Sequence, residues 1–294
     1  MNVFSKKISE LSEIRTSLPY CLFKVDSRFF KLNDEYNTKI RFVKVKTVPN
    51  RRTSDSQNID TIRDRWGIDA HSNILILTEK KFTDSLKAKE FTLKLINKFV
   101  KIYRYNDKTA VHLVDLNFED LFDFNYLYKG KGIFEVNLAG GITPTNPLLN
   151  FQLSNKIETA LKSNFEVPFW EELLINSEQY IYQTNFRHSI LESVISLELV
   201  ISEFIKKKCK EKGISASDTE EYIKNVGLTG NIKTSIKLLI SDELPEDELF
   251  EKCKAGITIR NSIVHDGRKN VNKNEAEDTL KANKQLIQFL NKCK

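Results

Sequence analysis

The stretch Ala255–Arg268 reads AGITIRNSIVHDGR, and its helical periodicity decides how the C-terminal half of the chain folds. Residues at alternating steps of three and four form one row: Phe250, Cys253, Ile257, Arg260 and Val264. Arg260 therefore interrupts an apolar stripe. Asp266 and Gly267 follow His265 directly, and glycine tolerates a positive φ angle, so the helix is predicted to end at His265, near solvent.

The helix that carries Arg260 is one of several predicted in this half. Apolar periodicity and end signals predict helices over 168–183, 185–210, 231–240, 245–265 and 274–292. Asn274 and Glu277 stand at capping-box spacing at the start of the last one. Helices joined in this way pack as an antiparallel bundle, here assigned to residues 168–294.

Glu198 is the candidate partner of Arg260 within this bundle. A buried guanidinium is costly unless a carboxylate or a phosphate lies beside it. Glu198 falls in a mostly apolar row of helix 185–210, and we expect it to pair with Arg260 across the bundle. Two alternatives stay open: a purely structural Arg–Glu pair that locks two helices, and a partly exposed glutamate at the edge of the stripe.

The N-terminal half mixes strands with helices. Alternating or β-branched runs predict strands over 20–25, 39–48, 73–77, 111–116 and 133–138. The clearest helix spans 84–105, with Asp84 as its N-cap. A proline-containing stretch over 143–150 suggests a boundary, followed by a connecting segment over 151–167. The fold class is therefore α+β: a mixed α/β domain over 1–150, then an all-α bundle.

Composition narrows the function classes. The 294 residues carry a formal net charge of +6, which mildly favours an anionic partner such as nucleic acid. The four cysteines show no paired spacing, so neither a zinc site nor a disulfide framework is suggested. No cofactor is expected. No signal peptide or membrane-spanning run stands out, and a cytoplasmic location without membrane contact is expected.

Four lysines crowd the end of helix 185–210: Lys206, Lys207, Lys208 and Lys210. Cations suit the negative end of a helix dipole, which alone explains them. Near the bundle face that carries His265 they would also bind RNA phosphates. We keep both interpretations.

The run RNSIVHDG resembles the signature of the HEPN superfamily, especially its Apea-like branch: an arginine, a polar residue, and a histidine after four to six intervening residues. The segment SLELV around Glu198 resembles a similarly placed glutamate of Apea-like helices. The resemblance covers about residues 168–294 and implies a metal-independent ribonuclease that forms a homodimer with two Arg and His pairs facing one cleft. It implies Arg260, His265 and Asn261 as catalytic residues, with Glu198 in support.

The implied reaction suits these residues. A histidine can take or give a proton near neutral pH, and an arginine can hold the scissile phosphate. The RNA 2′-hydroxyl would attack, leaving a 2′,3′-cyclic phosphate and a free 5′-hydroxyl. Because each residue turns a helix by roughly 100°, Arg260 and His265 point about 140° apart. Either the helix unwinds at His265 or a second subunit completes the site.

Regulation is assigned by elimination. Some HEPN toxins carry a modified tyrosine two residues after the histidine, where this chain has Gly267. Control is therefore expected in the N-terminal domain, through a phage-derived or protein trigger. The leading expectation is an RNA endonuclease acting as a toxin-like effector in bacterial anti-phage defence, by abortive infection. The alternatives are an inactive HEPN module for RNA binding or dimerisation, and a helical protein-interaction module.

Overall fold

The computed structural model describes residues 11–22, 24–46, 70–128, 131–132, 150–240 and 244–293. The chain divides into two compact units, Met1–Glu166 and Val167–Lys294. The first holds an antiparallel sheet with helices, and the second is helical. The predicted α+β class is confirmed.

The first unit is built on a six-stranded sheet in which every neighbouring pair is antiparallel. Its strands are β1 (Ser12–Ser17), β2 (Phe29–Lys31), β3 (Lys39–Lys46), β4 (Ala70–Thr78), β5 (Phe122–Tyr128) and β6 (Lys131–Gly132). They are ordered β2-β3-β4-β1-β5-β6. Strands β3 and β4 confirm two predicted strands.

Strand β1 lies at the centre of the sheet although its sequence, SEIRTS, is polar. Because β4 and β5 flank it on both edges, Ser12, Thr16 and Ser17 are buried. The Ser12 hydroxyl pairs with the Tyr126 hydroxyl at 3.3 Å, and Ser17 donates to Asn73 Oδ1 at 2.9 Å. Hydrogen bonds thus satisfy this polar strand inside the core.

Two predicted strands, over 20–25 and 111–116, are wrong: the residues that the structure describes in these segments form no strand. Many side chains in both segments are buried, so the apolar pattern reflects burial in the core and not pairing with a neighbouring strand. In segment 111–116, the side chain of Asn97 forms the backbone hydrogen bonds that a neighbouring strand would otherwise form. Its Oδ1 accepts from the Leu116 amide at 2.8 Å, and its Nδ2 donates to the Leu116 carbonyl at 3.0 Å.

Helix α1 (Ser85–Asn106) packs its apolar face against aromatic residues of the sheet. The Asp84 side chain accepts from the Lys87 amide at 2.8 Å, which confirms the predicted N-cap. The ring of Phe99 lies 4.3 Å from that of Phe42 and 5.2 Å from that of Phe30, centroid to centroid. These rings form the centre of the first core.

Helix α2 (Phe151–Lys162) belongs to the first unit. Its Ser154 hydroxyl accepts from the Asp26 amide at 3.2 Å, and its Leu161 carbonyl from the Asn33 amide at 3.4 Å. The segment treated from sequence as a connection thus packs as part of this unit. The predicted strand 133–138 and positions 143–149 of the expected boundary lie outside the described residues.

In the part of the chain that the structure describes, the second unit contains six helices, five that the sequence predicts and one that it does not. They are α3 (Phe169–Tyr182), α4 (Phe186–Glu211), α5 (Ala216–Gly230), α6 (Ile236–Leu239), α7 (Asp247–His265) and α8 (Lys273–Lys292). A π-helical turn, Asn231–Ser235, joins α5 to α6, within the predicted helix 231–240. The capping box at the start of α8 uses Asn272 and Glu275, two residues earlier than predicted.

Helix α4 supplies the centre of the second core. Its apolar spacing predicts a stripe that starts at Phe186, which is partly buried, and continues through five fully buried residues: Ile190, Val194, Leu197, Ile201 and Phe204. Helices α7 and α8 pack against it with their own apolar faces. This packing leaves one side of α7 open to solvent.

Candidate active site

Helix α7 carries Arg260, Asn261 and His265 on a firmly packed support. Phe250, Cys253 and Ile257 are buried against the second core. Gly256 brings α7 close to α8: a Cβ at this position would lie 2.5 Å from Thr279 Cγ2. Close backbone approach and burial therefore fix the position of α7 relative to α8.

The end of α7 places His265 at the surface, as predicted. Asp266 is the C-cap, and Gly267 takes a φ of +66°, the left-handed conformation that glycine adopts without a Cβ penalty. The Arg268 amide then donates to the Ser262 carbonyl at 3.0 Å, which closes the helix. His265 is exposed, and its imidazole is open to solvent and to a ligand.

The loop after α7 is tied to α8 by Arg268, a residue that the sequence interpretation did not single out. Its Nη2 pairs with Glu275 Oε1 at 2.6 Å, and its Nε donates to the Asn270 carbonyl at 2.9 Å. The sequence signal that could have identified this contact is the capping box of Asn272 and Glu275, which the sequence analysis placed two residues later along the chain. Arg268 thus steadies the segment that follows His265.

Arg260 is half-buried and is held by its neighbour in sequence. Its Nη1 donates to Asn261 Oδ1 at 3.0 Å. Its Nε is buried, and no acceptor among the described residues reaches it. Within the same described ranges, no carboxylate forms an ion pair with this guanidinium. Arg260 therefore keeps its positive charge and one unsatisfied donor.

The expected pairing of Glu198 with Arg260 is wrong. Glu198 is exposed on α4, and no ion pair joins it to Arg260 in the part of the chain that the structure describes. The row that contains Glu198 lies at the margin of the buried stripe, where a carboxylate keeps its hydration. Val264, placed in the apolar stripe of α7 from its spacing, is also exposed, at 51%.

The four lysines at the end of α4 are partly neutralised. Lys206 pairs with Glu220 of α5 at 3.0 Å, while Lys207 and Lys208 reach Glu211 at 3.9 and 3.3 Å. For Lys210, which is exposed, no ion pair is seen within the described ranges. Exposed pairs of this kind are weak, so a phosphate can displace them.

The three residues of the sequence motif meet only in part. Arg260 contacts Asn261, but neither is hydrogen-bonded to His265 within the described structure. The helix is regular to His265, so the backbone positions of Arg260 and His265 are about 140° apart around its axis. Of the two alternatives that the sequence left open, unwinding of the helix at His265 does not occur. An exposed imidazole and a charged guanidinium on one helix can still act on one phosphate if a second copy supplies the missing group.

Two further structural observations concern metal binding and membrane-spanning helices. Among the described side chains, no group of three or more His, Cys, Asp or Glu residues is arranged to hold a metal ion. None of the helices in those same residues combines the length and apolar character needed to cross a membrane.

No family model matches this chain, and comparisons with curated proteins and with solved structures returned no match.

Proposed function

We propose that this protein is a metal-independent RNA endonuclease of the HEPN type. The observation that carries the proposal is the state of Arg260. Its guanidinium is half-buried, donates to the neutral Asn261, and keeps a buried Nε without an acceptor in the described structure. A buried donor on a cation is costly until an anion reaches it, and a phosphodiester is one of the anions that arginine binds with two parallel hydrogen bonds.

His265 supplies the proton transfer in this proposal. It ends α7 in an exposed position, next to the loop that Arg268 holds. The imidazole takes the proton of the RNA 2′-hydroxyl, and the alkoxide oxygen attacks the adjacent phosphorus. The bond to the 5′-oxygen breaks, a protonated His265 of this copy or of the second copy gives its proton to that leaving oxygen, and the products are a 2′,3′-cyclic phosphate and a 5′-hydroxyl. Arg260 stabilises the negative charge on the phosphoryl oxygens.

Because Arg260 and His265 diverge around α7, the proposal includes a homodimer in which each phosphate meets groups from both copies. It places the enzyme in the cytoplasm, as a toxin-like effector of anti-phage defence controlled by the first unit. Lys210 and the weakly paired Lys206, Lys207 and Lys208 would add phosphate contacts.

One experiment tests the reaction. Purified protein is incubated with total RNA in EDTA beside Arg260→Ala and His265→Ala, and the 3′ ends are analysed for cyclic phosphate. The proposal expects cleavage by the wild type, and a loss of at least about a hundredfold in each variant. Cleavage that persists in both variants would refute it.

A second candidate function is RNA binding by the bundle without cleavage. The observation that favours it is the lack of a hydrogen bond between His265 and either Arg260 or Asn261 in the described structure. Under this reading the wild type leaves RNA intact, while its affinity for RNA falls steeply with salt.

A further inference from the structure

A groove of about 420 Å³ lies on the first unit, between the end of α1 and helix α2. Its lining residues are Tyr105, Asn106, Asn155, Lys156, Thr159, Ala160, Ser163 and Phe165. All of them belong to the first unit, so the groove is independent of the site on α7. Its volume is in the range of small-molecule sites, which begins at about 300 Å³.

One wall of the groove is aromatic. The rings of Tyr105 and Phe165 are 5.2 Å apart between centroids, at an interplanar angle of 47°, and both residues are half-buried. Asn164 takes a φ of +51°, and the Phe165 amide donates to the Ala160 carbonyl at 2.9 Å. This turn after α2 brings Phe165 back beside Tyr105. The ammonium of Lys108 lies 5.0 Å from the Tyr105 ring centroid.

The polar groups of the groove have bonding capacity to spare. Asn155 uses its Oδ1 to accept from Arg28 at 2.7 Å, and Asn106 uses its Nδ2 to donate to the Ile102 carbonyl at 2.9 Å. Within the described residues, the other end of each amide and the hydroxyl of Thr159 have no protein partner. The lining therefore offers a donor, an acceptor and a hydroxyl to a ligand.

The charge of the lining has one sign. Lys156 is its one charged residue, and no carboxylate pairs with it among the residues described. Lys108 adds a second positive charge beside the aromatic wall. Together these groups suit a ligand with a planar ring, polar edges and negative charge.

We propose that this groove binds a nucleotide. The base stacks on the aromatic wall, the amides of Asn106 and Asn155 meet its edge, and the phosphate contacts Lys156 and Lys108. A free mononucleotide and one nucleotide of a single-stranded RNA share this chemistry. This binding site goes beyond the proposed ribonuclease function and does not depend on it.

The test uses the full-length chain and matched charge reversals on α2. Binding of adenosine and uridine monophosphate, of inorganic phosphate and of a 2′-O-methyl oligoadenylate decamer is measured by calorimetry. Lys156→Glu alters the groove. Lys162→Glu makes the same change on the same helix at a lysine outside the lining, paired with Glu158 at 2.7 Å. The 2′-O-methyl groups block attack by the 2′-oxygen, so the result is separate from any cleavage.

We expect Lys156→Glu and Tyr105→Ala to weaken nucleotide binding at least about fivefold, while Tyr105→Phe and Lys162→Glu stay within about twofold of the wild type. Melting curves identify any variant that fails to fold. If Tyr105→Ala does not fold, Tyr105→Phe still shows whether the aromatic ring without its hydroxyl supports binding, and Lys156→Glu still tests the groove. Binding of a mononucleotide identifies a free nucleotide as the ligand. Binding of the decamer alone identifies a strand.

Photocrosslinking with 8-azidoadenosine monophosphate, or with a decamer that carries the same azido base, locates the bound base. Crosslinks in peptides that contain Tyr105 or Phe165 support the proposal. The proposal is overturned if no nucleotide probe binds the wild type at about 1 mM, the weak end of specific affinity. It is also overturned if inorganic phosphate binds as tightly as the nucleotides, if both lysine reversals weaken binding equally, or if no crosslink falls in the peptides that contain Tyr105 or Phe165.

Discussion

The Nη1 atom of Arg260 donates to the Oδ1 atom of Asn261 at 3.0 Å. Successive residues on a helix do not face each other, so this contact requires the arginine side chain to bend across the surface of α7. The guanidinium is thereby positioned by a neutral group and keeps its charge.

Asn261→Ala removes the group that holds Arg260, and we expect RNA cleavage to slow by about tenfold to a hundredfold through misplacement of the guanidinium. Asn261→Asp puts a carboxylate in the same place, which would neutralise Arg260 and slow cleavage further. Single-turnover cleavage in EDTA measures both rates. If Asn261→Asp cleaved RNA faster than Asn261→Ala, the result would contradict the role of the unneutralised charge on Arg260.

Glu198→Ala should change the free energy of unfolding by no more than about 0.5 kcal/mol, because the carboxylate is exposed. A double-mutant cycle with Arg260→Ala should give a coupling energy near zero. Urea unfolding of the four proteins provides the measurement. A coupling of several kcal/mol would restore the buried pair that the sequence suggested.

Gly256→Ala should destabilise the second unit, since the new Cβ would lie 2.5 Å from Thr279 Cγ2 and 3.1 Å from its Oγ1. Threonine is stiff at χ1 and cannot move its methyl group aside. We expect a cost of about 1–3 kcal/mol from overpacking, of which the better helix propensity of alanine offsets about 1 kcal/mol.

Thr279→Ser supplies the matched control for this clash, because it deletes the Cγ2 methyl group. In the Thr279→Ser background, Gly256→Ala should lose most of its destabilising effect, as measured by thermal unfolding. An equal effect in both backgrounds would show that the close approach of α7 and α8 is limited by other atoms.

Glu192→Gln should stabilise the protein near neutral pH. Burial raises the pKa of Glu192 above its ordinary 4.5, and the negative charge of Glu172 raises it further, against a hydrogen bond from Asn176 that lowers it. Its Oε2 is buried without a partner in the described structure. A carboxyl whose pKa is raised by folding contributes full stability below its unfolded pKa, and loses it as the pH rises through the folded value.

The effect of Glu192→Gln on the unfolding midpoint should therefore be absent at about pH 4, near the unfolded pKa, and should appear as the pH approaches neutrality. Glu198→Gln, the same substitution at an exposed position of the same helix, serves as the control. Unfolding midpoints from pH 4 to 8 are compared for the three proteins. If Glu192→Gln shifted the unfolding midpoint by the same amount at every pH, the buried charge of Glu192 would not be the cause of the shift.

Local signals in the sequence predicted the long helices and several of their ends. The Asp84 cap starts α1, Gly267 ends α7, and the apolar stripe of α4 is buried as its spacing indicates. These features depend on residues within a few positions of one another. Helix α5 escaped prediction because Thr219 is its one buried residue among those described, so it carries no apolar stripe.

The sequence by itself determined that α7 would present Arg260 and Asn261 and stop at an exposed His265, because periodicity and a glycine after the helix act locally. Only the tertiary structure decided that polar β1 would lie at the centre of the sheet, and that Glu198 would stay in solvent instead of reaching Arg260. Both outcomes depend on which distant segments flank a residue. Burial and charge pairing are properties of that packing, and no local pattern encodes them.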